Sequence, residues 1–311
     1  MNINTYLNPK NSLVLYELDE ELEFFLKLYN SEKFPNVIML TGKKGVGKFT
    51  LINHFLSYIY DRNNYDLKNK SINNQSQFYK QYSNNIFSNI VHISGNNFKN
   101  IKIDDIRNLK SLILKTSISK EKRFIILDDI ELFNINSLNA LLKIIEEPSP
   151  NNHFVLINNQ TKPLIETMYS RCLEIKILLK DSIRIKIIEF LVKKNNLDVF
   201  IDFNSINLTP GNFLLFNKIC HENKFDLDGN FLKNLETLFN LYRKSKDKNL
   251  INFILFLTDY NFHNVKEKKI YNIEKIIENK SFVINNINNF VKYNLNQNSL
   301  INAINNKLSN G

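Results

Sequence analysis

A parallel α/β domain followed by all-helical structure is predicted by three observations. A glycine-rich loop, GKKGVGK at residues 42–48, lies between an apolar strand and an apolar helical face. Apolar runs of strand length alternate with stretches of helical period as far as about residue 178, the pattern of a parallel sheet covered on both faces. Beyond about residue 180 the strand signals stop, and only amphipathic helical patterns continue.

The elements follow in order. EELEFFLKLYN (20–30) carries apolar side chains at helical spacing, and FPNVIMLTG (34–42) reads as a buried strand opened by a proline. After the loop, Leu51, Phe55, Leu56 and Ile59 mark the core face of a helix. The polar stretch 61–85 has no sustained period and predicts a surface loop or mobile insertion. IVHIS (90–94) predicts a strand, IDDIRNLKSLIL (103–114) a helix, and KRFIILDD (122–129) a second buried strand. Asn136 or Ser137 is expected to cap the helix SLNALLKIIEE, with Leu138, Leu141, Leu142 and Ile145 as its buried stripe and Pro148 and Pro150 as its stop. HFVLINN (153–159) is a strand, PLIETMYS (163–170) a short helix and CLEIKIL (172–178) a last strand. The helices after residue 180 begin with DSIRIKIIEFLVKKNN and include DGNFLKNLETLFNLYRK, NLINFILFLTDY, the long run from Ile273 to Tyr293, and NSLINAINNKL. Phe231, Phe239 and Tyr242 fall at helical spacing and predict core packing rather than a base-stacking platform.

A chain of 311 residues is too long for one small core, and two or three domains are expected. No apolar run approaches the ~18 residues a membrane helix needs. The start, MNINTYLNPKNSLVLYELDEE, has neither a basic nor an apolar targeting region, so a cytoplasmic location without membrane contact is expected. The two cysteines, Cys172 and Cys220, are too few for a disulfide framework or a four-cysteine zinc site. The five histidines show no metal-ligand spacing, so no metal site is assigned. A net charge of +10 attracts phosphate in general, but the lysines are scattered through a chain rich in Lys, Asn and Ile. A DNA-binding module driven by that charge would bind duplex strongly on its own, with a steep salt dependence.

The loop carries the chemistry. In the template G-x-x-x-x-G-K-[ST], glycines let backbone N–H groups curl around phosphate oxygens at the positive end of the next helix, and the lysine reaches the terminal phosphates. Gly42, Gly47 and Lys48 fit it, Gly45 adds the spacing G-x-x-G-x-G-K, and three of the chain's seven glycines fall within these few positions. Phe49 stands where a hydroxyl would hold magnesium. Thr50 lies one residue on, about 100° around the helix, and does not substitute directly. FIILDD supplies the usual acidic strand end: Asp128 would face the metal, and Asp129 stands where hydrolytic enzymes of this kind have a glutamate. Glu146 and Glu147 end a helix, where the macrodipole disfavours negative charge, so a cationic partner is expected.

The stretch LDDIELFNINSLNALLKIIEEPSPNNHFVLINNQTKPLIETMYSRC resembles the bacterial DNA polymerase III clamp-loader family of the AAA+ class. NALLKIIEEP, an apolar strand and then SRC are specific to that family, and FPNVIMLTGKKGVGKFTL, IKIDDIRNL, LTPGNFLLF and FVKYNLNQNSLINAI have counterparts in the same order. Among its subunits the chain looks most like delta prime. The resemblance implies an AAA+ P-loop domain at 1–178, a small helical lid at 179–223 and an all-α collar at 224–311 that joins subunits into a ring. That ring, with gamma or tau and delta subunits, opens a sliding clamp and closes it on primed DNA.

By the matching SRC motif, the resemblance also implies that Arg171 reaches the ATP of a neighbouring subunit. Asn212 stands near where active relatives place an arginine that senses the γ-phosphate, and residues 51–127 lack the cysteines of the gamma and tau zinc module. With Phe49 and Asp129, these departures imply a degenerate nucleotide site at Gly42, Gly45, Gly47, Lys48, Thr50, Asp128 and Asp129. No cofactor is then required, although weak ATP or ADP binding stays open. The alternative is an autonomous AAA+ ATPase, or a gamma- or tau-like motor, in which Thr50 and Asp129 work despite their offsets.

Overall fold

A computed structural model describes residues 6–95, 106, 122–149, 151–267 and 273–309. The chain divides into two compact units, residues 1–215 and 216–311.

In the first unit, β1 (Val37–Thr41), β4 (Ile90–Ser94), β5 (Arg123–Asp128), β6 (Asn152–Asn158) and β7 (Leu173–Lys176) form one sheet in the order β4-β5-β6-β1-β7. All four pairings are parallel; Val37 faces Phe154, Ile38 faces Leu173, and Ile90 faces Phe124. Strand side chains alternate between two cores, as the two-residue period requires. Ile38, Leu40, Phe124, Ile126, Val155 and Ile157 pack under α1 (Asp19–Asn30) and α2 (Lys48–Tyr60), against Leu22, Phe25, Leu51, Phe55 and Leu56. Met39, Ile125, Leu127, Phe154 and Leu156 face the other way, onto Leu138, Leu141 and Ile145 of α4 (Ile135–Glu146). Each fully buried side chain of this size contributes roughly 1.5–3 kcal/mol. The expected α/β class and the covering of both faces are therefore observed.

Two expectations need correction. Residues 61–85 are not a structureless insertion: β2 (Tyr65–Asp66) and β3 (Ser71–Ile72) form a hairpin, and α3 (Gln77–Ser83) follows, capped by Ser76 accepting from Tyr79 N at 3.1 Å. Tyr65, Ile72, Phe78 and Tyr82 are its buried anchors, and they join the α2 core. Four anchors spread over two short strands and one short helix leave no period to detect. The cap of α4 is Asn134, whose side chain accepts from Ser137 N at 2.9 Å, not Asn136 or Ser137. Three of the four predicted stripe residues are buried there, and Leu142 is partly so. The helix expected at 103–114 lies outside the described residues apart from Ile106, which is buried in the second core.

After β6 come the short α5 (Glu166–Tyr169) and β7, then α6 (Asp181–Asn195) and α7 (Pro210–Asn223). Buried Arg184 ties 203–208 to α6: its Nε pairs with Asp181 at 2.9 Å and its terminal nitrogen donates to the carbonyls of Phe203, Ile206 and Leu208. This fixes the approach to Thr209 and Pro210.

In the second unit, α8 (Phe231–Ser245), α9 (Lys248–Glu267), α10 (Ile273–Tyr293) and α11 (Gln297–Ser309) bury Leu235, Phe239, Phe253, Leu257, Val283, Ile287, Phe290 and Ile304. Phe239 meets Phe290 edge-on at 5.0 Å between ring centroids, a packing role as expected. Among the described residues, no helix is long and apolar enough to cross a membrane.

Candidate functional site

The C-terminal ends of β1, β5 and β6 bring the loop and the acidic residues together. Gly45 and Gly47 have φ of +86° and +101°, values that L side chains adopt only with strain, so the loop's curl depends on them. Gly47 ends the loop and caps α2. Gly42 is bonded to the sheet through its N–H, which donates to Asn158 O at 3.2 Å.

Lys48 is almost fully buried, and its ammonium donates to the loop's own carbonyls, Gly42 O at 2.6 Å and Lys43 O at 2.9 Å. Burial pulls this ammonium down to about 8, against the raising pull of Asp128, Glu131 and Asp129. Phe49 turns into the core, and its ring lies 4.8 Å from that of His92 on β4. Thr50 is half-buried one residue on.

Asp128 ends β5, and Asp129 follows in the left-handed conformation, φ 52° and ψ 44°. Asp128 Oδ1 accepts from Asp129 N at 2.8 Å and from Asn159 Nδ2 at 3.3 Å. Asp129 is buried; Oδ1 accepts from Asn159 Nδ2 at 2.9 Å and from Lys44 Nζ at 3.3 Å, and Oδ2 from Ser94 Oγ at 3.4 Å. Burial first, and the neighbouring Asp129 second, hold the Asp128 carboxyl above the usual carboxylate range. Glu131, also buried, accepts from Asn159 N at 3.1 Å and from Thr161 Oγ1 at 2.7 Å, which fixes the segment after β6.

A magnesium-bound nucleotide is what such a loop implies. The residues present fit its metal poorly: the position after Lys48 offers an aromatic ring, Asp128 Oδ1 already accepts from Asp129 N and Asn159, and the neighbouring Asp129 from Lys44, Asn159 and Ser94.

Asn212 stands beside this loop, its N–H donating to Thr209 Oγ1 at 3.4 Å. The same hydroxyl donates to Lys44 O at 2.6 Å. Sequence reasoning missed Lys44, Asn159 and Thr209. Lys44 lies inside the motif at a position the template leaves open, and Asn159 is a polar residue at the end of an apolar strand. Thr209, before Pro210, has the signature of a helix cap.

Arg171 is placed elsewhere, between α5 and β7. It is exposed; its Nε donates to Glu146 Oε1 at 2.7 Å, and Nη1 donates to Thr167 O at 3.0 Å and Ser170 Oγ at 3.2 Å. Glu146 at the end of α4 thus has the cationic partner its position called for. Cys172 and Cys220 are both free, and burial raises their thiols to about 11 and about 12. Among the described residues no cluster of His, Cys, Asp and Glu could hold a metal ion.

Curated relatives and a family model point the same way as the loop and the SRC motif. The DNA polymerase III subunit delta' of Pseudomonas aeruginosa is 36% identical over 76 residues, 24% of this chain, and the match spans only 23% of that relative's length. The delta' subunit of Buchnera aphidicola subsp. Schizaphis graminum is 24% identical over 250 residues, covering 76% of this chain and 69% of the relative. Among solved structures, a DNA polymerase III gamma subunit-related protein of Thermotoga maritima matches with TM-score 0.45 at 18% identity, over 91% of this chain and 96% of that one. The family model described as DNA polymerase III, delta subunit, matches residues 18–180. That match takes in the phosphate loop, the acidic strand end and Arg171 and covers more than half of the chain, which belongs to this family of DNA polymerase III subunits.

Proposed function

We propose that this chain is a delta-prime-type clamp-loader subunit that helps place a sliding clamp on primed DNA in the cytoplasm, without hydrolysing ATP itself. It acts within a ring containing gamma or tau and delta subunits. On this reading residues 1–178 are the AAA+ domain, 179–223 the lid and 224–311 the collar through which subunits associate.

The observation that carries the reading is the side chain after Lys48. Phe49 packs against His92 instead of offering an oxygen at the loop, which supports a site that holds magnesium poorly. A lysine bonded to its own loop carbonyls and an acidic strand end engaged by Lys44, Ser94 and Asn159 favour the same conclusion.

The chemistry this chain contributes is then a charge delivered in trans. A guanidinium brought to a neighbour's γ-phosphate stabilises the charge that develops in the transition state, and such contributions are worth on the order of 10³ to 10⁵ in rate. Arg171 suits the task because it is exposed at an edge of its unit. Three hydrogen bonds to Glu146, Thr167 and Ser170 fix the guanidinium at the loop between α5 and β7. Glu146 is a positioning residue in this scheme, since it holds Nε while Thr167 and Ser170 hold Nη1.

The test is magnesium-dependent ATP turnover by the isolated chain, together with recovery of its partners from native cells. No turnover, with a sliding clamp and polymerase components among the partners, is the expected result. Robust turnover, or partners with no link to replication, would overturn the proposal.

A further inference from the structure

Lys44, at the crest of the phosphate loop, is held at both ends. Its carbonyl accepts from Thr209 Oγ1 at 2.6 Å, and its ammonium pairs with buried Asp129 at 3.3 Å. One residue on, Gly45 O accepts from Gly211 N at 2.9 Å. The two backbones meet because neither residue has a side chain. A Cβ on Gly211 would lie 2.7 Å from Gly45 Cα, and one on Gly45 would lie 2.6 Å from Thr209 Oγ1 and 2.9 Å from Asn212 N. The start of α7 is therefore bonded directly to the crest of the loop, and the crest is bonded to the acidic end of β5.

A loop that receives a metal nucleotide needs its crest free to curl N–H groups around phosphate and its acidic strand end free to face the cation. Here the crest is pinned through its carbonyls by Thr209 and Gly211, which fixes its shape, and the acidic strand end is held by Lys44 and Asn159. A divalent ion approaching Asp128 would meet the Lys44 ammonium, a like charge already seated on the adjacent Asp129.

We propose that Lys44 and the Thr209–Gly211 segment form a latch that keeps the phosphate loop closed to magnesium nucleotides. The proposal rests on the reading of the loop as inactive and adds the residues that keep it so. Phe49 weakens metal binding from the side of the core, and the latch closes the loop from the side of α7.

The test uses the full chain and two variants, Lys44→Ala and Thr209→Val. The Lys44 side chain is 32% exposed and Thr209→Val keeps its volume, so both variants are expected to fold. Two quantities are read: hydrogen exchange at the Gly211 amide, and binding of a fluorescent ATP analogue with magnesium. Each variant is expected to exchange Gly211 at least about tenfold faster and to bind the analogue about tenfold more tightly than the unchanged chain. Unchanged exchange in either variant overturns the latch, and so does faster exchange without tighter binding. The two readings fail separately. Hydrolysis by the unchanged chain defeats the inactive-site reading, whereas an inert chain whose variants are equally inert defeats only the latch.

Discussion

Arg171 Nε donates to Glu146 Oε1 at 2.7 Å, joining the loop before β7 to the C-terminal end of α4. A carboxylate is unfavourable at a helix C-terminus, and the guanidinium offsets it. Both side chains are well exposed, so solvent screens the pair and its contribution to stability is small. Arg171→Ala should therefore cost no more than about 1 kcal/mol in urea unfolding. A much larger loss would make this arginine part of the fold rather than a group held out for a partner.

Gly45→Ala should cost about 1–3 kcal/mol, because the substitution strains a left-handed residue and drives a methyl group into Thr209 and Asn212. Urea unfolding of the full chain measures it. A neutral effect would mean that the loop and the start of α7 separate at little cost.

Stability should fall on the acid side. Burial holds His54 and His92 at about 4, below the ordinary 6.5, so between those values the unfolded chain binds protons that the folded chain does not. Stability is lost as the pH drops through that window. Asp128, raised by burial and by Asp129, works the other way and offsets part of the loss. His92→Phe removes one of the two histidines, together with a buried Nε2 that has no hydrogen-bond partner among the described residues. Its urea midpoint should fall less than that of the unchanged chain between pH 6.5 and about 4.5. Parallel profiles would contradict the assignment.

Phe55 sits at the centre of an aromatic cluster, with Phe25, Phe34 and Phe124 at 5.5, 4.9 and 5.7 Å. Phe55→Ala leaves a cavity among rings fixed by the sheet and α1, and should cost about 3–5 kcal/mol. A calorimetric scan would show it as a large drop in melting temperature, and a small drop would mean that the cluster collapses into the space.

Much of this was legible in the sequence because it depends on period and on glycine. The five sheet strands and the loop between β1 and α2 follow from apolar runs and from GKKGVGK, as did the need for a partner at Glu146. What was hidden depends on contacts distant in the chain. Lys44 and Thr209 are 165 residues apart, and nothing local to either marks the bond between them. Asn159 bridges two carboxylates only because parallel pairing sets the end of β6 beside that of β5. The 61–85 segment was misjudged for a related reason, since its four anchors acquire meaning only against α2. Phe49 was legible as a missing hydroxyl, but its packing against His92 was not, because β4 reaches it through the fold.

The central claim, a subunit inert at its own loop that acts on a neighbour's ATP, is tested most directly by assembling the complex with Arg171→Ala and measuring its ATPase with clamp and primed DNA present. The account predicts normal assembly with stimulated turnover reduced by about 10³-fold at the site this subunit faces. Undiminished turnover in a fully assembled complex would contradict it.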